Sequence, residues 1–223
     1  MQTYKNEKQV TDALRLLAAQ DSVLAAALQR HGPPPMRQLA EGFIGLTRLL
    51  IGQQVSTAAA ATIRERFESL LDEEDEAAAP YALLALPEEA VAACGISRAK
   101  QNYMRHLAEA IVSDGLDLAA LRQADNETVY QKLTQLKGVG PWTAQCYLLF
   151  SLGRADMFPG GDLALQQAIK LLYGLNDKPS ADEAAEFALR WQPHRGAAAR
   201  FLWHYYNGEL AAARQKKAEK SDI

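Results

Sequence analysis

Cysteine is scarce in this sequence: Cys94 and Cys146 are the only two in 223 residues. Two thiols cannot supply the four ligands that an iron–sulfur cluster takes. Both fall inside helical patterns, which points to buried free thiols rather than a disulfide and fits a reducing cytoplasm. Long apolar runs are missing too. None reaches the roughly 18 residues of a membrane-spanning helix, so no membrane partner is expected. The segment Met1-Gln2-Thr3-Tyr4-Lys5-Asn6-Glu7-Lys8 lacks the apolar core of a secretory signal. No repeat recurs at a fixed period. Sustained apolar–polar alternation is absent, which excludes a β-rich fold. Positive charge is not in excess either, since the net formal charge is −3. Five negative charges lie in Asp72-Glu73-Glu74-Asp75-Glu76, and without that run the remainder carries +2. The run reads as a solvated loop, so the net sign does not exclude a nucleic-acid partner.

What the chain does have is apolar residues at helical spacing almost throughout. Its length suffices for one large domain or two small ones with a sizeable core. Val10 to Arg30 reads as one or two helices, stopped by His31-Gly32-Pro33-Pro34-Pro35. Gln38 to Gly52 places Leu39, Phe43, Leu46 and Leu50 on one face. After the break Gly52-Gln53-Gln54-Val55-Ser56, Ser56 can cap a helix to about Leu71 with Ile63, Phe67 and Leu70 inward. Tyr81 to Leu86 is a short helix. Pro87-Glu88-Glu89 opens another, with acids where the helix dipole favours them, and Gly95 closes it. Ser97 caps a long helix carrying Met104, Leu107 and Ile111, and Asp117 to Gln123 forms a short one. Ser180-Ala181-Asp182-Glu183 has capping-box spacing, and a last helix runs from about Arg195 to Asn207. The expected fold class is all-α.

The centre of the pattern is Leu136-Lys137-Gly138-Val139-Gly140-Pro141-Trp142-Thr143-Ala144. A helix from Glu127 to Leu136 precedes it, and Pro141 suits a first helical position. The unit is therefore helix, tight glycine turn, helix. The glycines permit backbone angles closed to other residues. They also bare N–H groups at a helix N-terminus, where a phosphate oxygen is readily held. On the residues alone, Gly138 and Gly140 can equally be turn glycines and nothing more.

Twenty residues beyond Trp142, Phe158-Pro159-Gly160-Gly161-Asp162 leads into a helix from Leu163 to Tyr173. Asp162 occupies an N-cap position. A carboxylate there can cap the helix, face a site, or do both.

These strings together resemble the helix-hairpin-helix DNA glycosylases. In that family the hairpin holds one DNA phosphate through backbone amides, and a Gly/Pro-rich loop after the next helix ends in a catalytic Asp. Leu46-Thr47-Arg48-Leu49-Leu50-Ile51-Gly52-Gln53-Gln54-Val55-Ser56 is similar to the first barrel helix and wedge loop of the alkylpurine, DNA-3-methyladenine glycosylase II branch. Cys94-Gly95-Ile96-Ser97-Arg98-Ala99-Lys100 resembles a string of the same branch. Trp191-Gln192-Pro193-His194-Arg195 with Ala199-Arg200-Phe201-Leu202-Trp203 resembles its closing segment. The resemblance spans about residues 42 to 206 and does not include the extra N-terminal β domain of the larger members.

The resemblance implies roles. Asp162 would be the catalytic carboxylate. Lys137, Gly138, Val139 and Gly140 would meet the DNA backbone. Gln53 or Gln54 would wedge into the gap left by an extruded base, although both can be plain exposed loop residues. Wedges elsewhere are usually apolar, so a glutamine would fill the gap partly by hydrogen bonds. Trp142 and Trp203 would wall the base pocket, Trp203 being equally readable as a core aromatic. A ring-alkylated purine carries positive charge, which an aromatic face attracts by about 0.5–2 kcal/mol. Tyr147 and Tyr205 are weaker pocket candidates, and Cys146 stands where a relative has a pocket tyrosine. Relatives that cut the strand carry a lysine at the position of Trp142 for Schiff-base formation. Trp142 cannot do this.

The resemblance therefore implies a monofunctional hydrolase that flips alkylated purines such as 3-methyladenine and 7-methylguanine out of duplex DNA and leaves an abasic site. Two helical lobes would flank the active-site cleft, residues 43–153 forming one and residues 1–42 with 154–223 the other. No cofactor is required and no side-chain metal site is expected, although the family hairpin often binds a structural monovalent cation through carbonyls. The expected partner is double-stranded DNA carrying alkylated purines, the expected state a monomer, and the expected compartment the cytoplasm, at the nucleoid in a bacterium. Two alternatives stay open: a glycosylase for deaminated or mismatched bases, and a non-catalytic helix-hairpin-helix DNA-binding protein.

Overall fold

The computed structural model describes residues 2–71 and 76–221, the last six by backbone alone. The solvated loop expected of Asp72 to Asp75 lies outside the described residues. The chain divides into two compact units, Met1–Arg37 with Gly153–Ile223, and Gln38–Leu152.

The first unit begins with α1 (Glu7–Ala18), capped by Asn6, whose side chain accepts the Gln9 N–H. Val10, Ala13, Leu14 and Leu17 form its buried stripe. Asp21 caps α2 (Ser22–His31), so the long pattern up to Arg30 is two helices, not one.

The second unit opens with α3 (Gly42–Gly52), four residues later than the apolar spacing implies. Gly42 sits at φ +67, a conformation through which a right-handed helix does not run. The N–H of Leu39 goes instead to the carbonyl of Phe150 at 3.0 Å. Glu41, the residue before α3, makes no side-chain cap. Glu76 reaches across and accepts the Ile44 N–H at 3.0 Å. This last acid of the run is therefore a helix-end partner rather than a free solvated charge.

Ser56 caps α4 (Thr57–Glu68), which buries Phe67. Leu70, expected inward, is exposed because the helix ends at Glu68 and its phase does not reach residue 70. The short helices α5 (Ala79–Ala85) and α6 (Glu88–Ala93) lead to a turn at Gly95, φ +92. The long helix α7 (Arg98–Val112) follows. Its N-cap is Ser97, whose side chain makes no capping bond, contrary to the reading from spacing. Met104 and Leu107 are fully buried, each contributing about 2 kcal/mol of transfer free energy. Polar side chains of α7 satisfy carbonyls on neighbouring segments, Arg105 Nη2 donating to Leu86 O at 2.7 Å.

The helices α8 (Leu118–Gln123) and α9 (Asn126–Thr134) are capped by Asp117 and Asp125. The next helix, α10 (Pro141–Cys146), continues as a π turn, Tyr147–Ser151, that is buried throughout. Apolar spacing gives no sign of this widening. The Tyr147 hydroxyl accepts the Gly42 N–H at 2.9 Å, which ties the start of α3 to the end of the unit. Tyr147 is thus core, as is Cys146.

The chain then returns to the first unit, where Tyr4 N–H meets Gly153 O at 2.7 Å beside an isolated bridge between Thr3 and Arg154. There α11 (Leu163–Tyr173) ends at the left-handed Gly174. It is followed by α12 (Ala181–Phe187), with the capping box of Ser180 and Glu183, and a 3-10 turn, Ala188–Trp191. The last helix, α13 (Arg195–Ser221), runs beyond Asn207 because Gly208 is not a stop. Gly208 lies inside the helix, and a Cβ there would meet His31 Nδ1 of α2 at 3.0 Å. Phe158, Tyr173, Phe187 and Trp191 pack ring against ring as an aromatic cluster. Among the described residues the bridge at Thr3 is the nearest thing to a strand, and the fold is all-α. No described helix is long and apolar enough to cross a membrane.

Candidate active site

The residues singled out in the sequence fall into two constellations, one in each unit. In the second unit the glycine turn joins α9 to α10. Gly138 takes φ +86, and a Cβ on it would run into the ring of Tyr103 on α7. Only glycine meets both demands. Gly140 differs: it is extended, and a Cβ there would meet nothing within 4 Å. Val139 between them is buried and donates its N–H to Leu136 O at 3.0 Å. The N–H groups of Gly138 and Gly140 have no backbone partner among the described residues. Lys137 stands exposed on the same turn. Bare amides, a nearby cation and open space above Gly140 make a seat for one anionic oxygen.

The break after α3 is held against this turn. Gln53 Nε2 donates to Gly138 O and to Thr143 Oγ1, both at 3.0 Å. Gln53 is therefore committed to the hairpin. Gln54 is exposed and is the one described non-glycine residue with positive φ, at 54. Backbone strain of this kind costs about 1–3 kcal/mol and collects at functional positions. The two glutamines, indistinguishable in the string, thus have different surroundings. Trp142 lies in the first turn of α10 and is half-buried. A groove of about 890 Å³ elsewhere on this unit, lined by Phe43, Pro80, Tyr81 and Ile111, contains none of these residues.

In the first unit Asp162 begins α11. Its Oδ1 accepts the N–H groups of Ala164 and Leu165 at 2.9 and 3.0 Å. It also accepts the indole Nε1–H of Trp203 at 3.0 Å. Three donors on one oxygen fix the carboxylate plane, and the helix N-terminus favours an anion there. The preceding loop is equally held. Gly160 O accepts the buried Gln166 Nε2 at 2.8 Å, and a Cβ on Gly160 would lie 2.6 Å from Ala181 O. Phe158 packs on Trp191, 5.8 Å between centroids. Arg195 grips Asp156 with two bonds, 2.7 and 2.9 Å. Trp191 and Arg195 of the closing string are thus supports for the loop.

The structure brings Gln53 to Gly138, and Trp203 to Asp162. Tyr205 is buried against His31. Two residues with no role assigned from sequence also belong here. Lys100 donates to Ile51 O at 2.8 Å and Gln53 O at 2.7 Å, and Gln166 braces the Asp162 loop. Lys100 carried a signal, being the last residue of a quoted string, whereas Gln166 carried none.

Among the described residues no three His, Cys, Asp or Glu side chains cluster as a metal site. Of the hairpin carbonyls, Gly138 O is taken by Gln53 and Leu136 O by Val139.

Residues 47–194 match the family model of the HhH-GPD superfamily base excision DNA repair proteins. A putative DNA-3-methyladenine glycosylase of Bacillus subtilis is 29% identical over 184 residues, which is 81% of this chain and 64% of that protein. The chain therefore spans somewhat under two thirds of that relative. The 3-methyladenine DNA glycosylase of Schizosaccharomyces pombe, solved in complex with abasic DNA, superposes with a TM-score of 0.78 at 29% identity, over 86% of this chain and 95% of that one. A DNA-3-methyladenine glycosidase from Bacillus halodurans gives 0.73 at 32% identity, over 87% and 88%. On the family match, the chain belongs to the HhH-GPD superfamily of base excision DNA repair proteins.

Proposed function

We propose that the chain is a monofunctional DNA glycosylase that extrudes alkylated purines from duplex DNA and hydrolyses their N-glycosidic bond, leaving an abasic site. The observation that carries this reading is the Asp162 carboxylate, fixed by two backbone amides and an indole N–H at the start of α11. The names of the relatives support the substrate class.

The geometry supports the following roles. The amides of Gly138 and Gly140 hold a phosphate oxygen, and Lys137 adds charge. Gln54 is the wedge, because Gln53 is spent on the hairpin. Extrusion costs a few kcal/mol, and a side chain that occupies the gap offsets part of it. Trp142 offers an aromatic face to the cationic base. Asp162 stabilises the positive charge that develops on the sugar as the bond breaks, and orients or deprotonates the attacking water. A cationic purine leaves without a strong general acid. With Trp142 in place of a lysine there is no Schiff base and no strand cleavage.

No cofactor takes part in the reaction. A monovalent cation at the hairpin would use turn carbonyls and would serve phosphate binding alone. The protein works as a monomer, since each copy carries the hairpin, the wedge, the aromatic face and the carboxylate.

The test is release of methylated purines from N-methylated duplex DNA under single-turnover conditions, with borohydride added in parallel. Base release with no trapped covalent adduct supports the reading. No release, or a trapped adduct, overturns it.

A further inference from the structure

The string ending in Lys100 has no part in the chemistry above, yet its lysine sits at a junction. Its ammonium bonds two carbonyls at the C-terminal end of α3, Ile51 O and Gln53 O. Those are carbonyls that a helix end leaves without intrahelical partners, and a cation there also meets the negative end of the dipole. Partial burial pulls the Lys100 pKa below the ordinary lysine value, as expected of a charge drawn out of water to make these bonds.

One residue beyond Gln53 is Gln54, exposed and strained at φ 54. One turn along α7 from Lys100 is Tyr103, whose ring fills the space a Cβ on Gly138 would need. A single face of α7 thus underlies both the wedge loop and the hairpin. The Gln53 side chain closes the ring by bonding Gly138 O and Thr143 Oγ1. Removing the ammonium would leave two carbonyls without their donor at the point where the backbone turns into the strained residue. The loop would relax, whereas the hairpin, held by Tyr103 and the turn itself, would not.

We propose that Lys100 is a positioning residue for base extrusion: by bonding Ile51 O and Gln53 O it holds Gln54 in its exposed, strained backbone conformation at a set place beside the hairpin. Lys100 touches neither the base nor the reacting sugar. It acts through Gln54. This inference rests on the glycosylase reading and on Gln54 as the wedge.

The experiment is a double-mutant cycle. Single-turnover release of 7-methylguanine from a defined duplex is compared for the unmodified protein, Lys100→Met, Gln54→Ala and the double variant. Affinity for undamaged duplex is measured alongside. Lys100→Met should slow release about tenfold, with affinity for undamaged DNA unchanged. In the Gln54→Ala background the same change should cost nothing further, because both act on one step. Placing the lesion opposite an abasic site lowers the cost of unpairing and should restore most of the lost rate. Additive losses in the cycle would overturn the proposal, as would an equal fall in affinity for undamaged DNA. If Lys100→Met does not fold at the assay temperature, Lys100→Gln, which removes the charge and shortens the reach of the donor, takes its place in the same cycle under the same criteria. An unmodified protein that releases no base would remove the glycosylase reading, and this inference with it. An active protein with an additive cycle would remove the inference alone.

Discussion

The indole Nε1–H of Trp203 points at the catalytic candidate rather than only at a base: it lies 3.0 Å from Asp162 Oδ1. Its polar edge is spent on the carboxylate. Trp203→Phe keeps an aromatic ring and removes the donor. It should slow base release about tenfold while DNA affinity and the preference among bases stay as they are. Asp162→Asn keeps an N-cap oxygen, so the fold and DNA binding should survive, but release should fall by at least about a hundredfold. Single-turnover rates and duplex titrations check both. A Trp203→Phe protein with altered base preference and an unaltered rate would show a pocket wall, not a carboxylate holder.

The two hairpin glycines should respond differently to alanine. Gly138→Ala meets both a positive φ and the Tyr103 ring, so it should lower thermal stability as well as DNA binding. Gly140→Ala meets nothing in the protein, so its melting temperature should hold. Its added methyl occupies the space where a phosphate would sit. Binding should then weaken equally for all DNA sequences, since phosphate contacts carry no base information, and should keep its fall with salt. A Gly140→Ala protein that binds DNA normally would show that the seat is not used.

Burial pushes the Tyr147 hydroxyl up to about 12 from its ordinary value of 10.0. Tyr4 and Tyr173 move in the same direction, again chiefly through burial. In the folded state Tyr147 keeps its proton where the unfolded chain has lost it. The stability it contributes is therefore complete below pH 10 and is lost as pH rises from 10 to 12. The loss amounts to about 3 kcal/mol for a shift of this size. Urea midpoints measured from pH 8 to 11.5 should fall above pH 10, and less steeply for Tyr147→Phe. A midpoint that stays flat to pH 11 would contradict this.

Local signals were readable in the sequence where the chemistry is local. The caps at Ser56 and Asp162, the box at Ser180, and the turn at Gly138 all depend on neighbours within three or four residues, and each lies where its spacing implies. What was not readable depends on distant residues. Trp203 bonds Asp162 from 41 positions away, and Lys100 bonds Gln53 O from 47. No spacing encodes either contact. Gln53 and Gln54 have the same side chain and differ only in backbone angle and in what lies opposite. Gly208 lies just past the expected end of the last helix, yet the helix continues through it and its absent side chain makes room for His31 of α2. The π turn after Cys146 is as apolar as the helix it extends, so its period is masked.

Under the proposed function, Trp142 supplies a face that favours positive charge and Asp162 stabilises the sugar while a purine made cationic by alkylation is released by hydrolysis. A charged base gains from the aromatic face and from its weakened glycosidic bond, while a neutral lesion of similar shape gains from neither. The measurement is single-turnover release of 7-methylguanine and of hypoxanthine from otherwise identical duplexes, by the unmodified protein and by Trp142→Leu. The unmodified protein should release 7-methylguanine faster, and the difference should be smaller in the variant, where an apolar wall remains without the ring. Hypoxanthine released as fast as 7-methylguanine by the unmodified protein would contradict this reading and would favour an enzyme for deaminated bases.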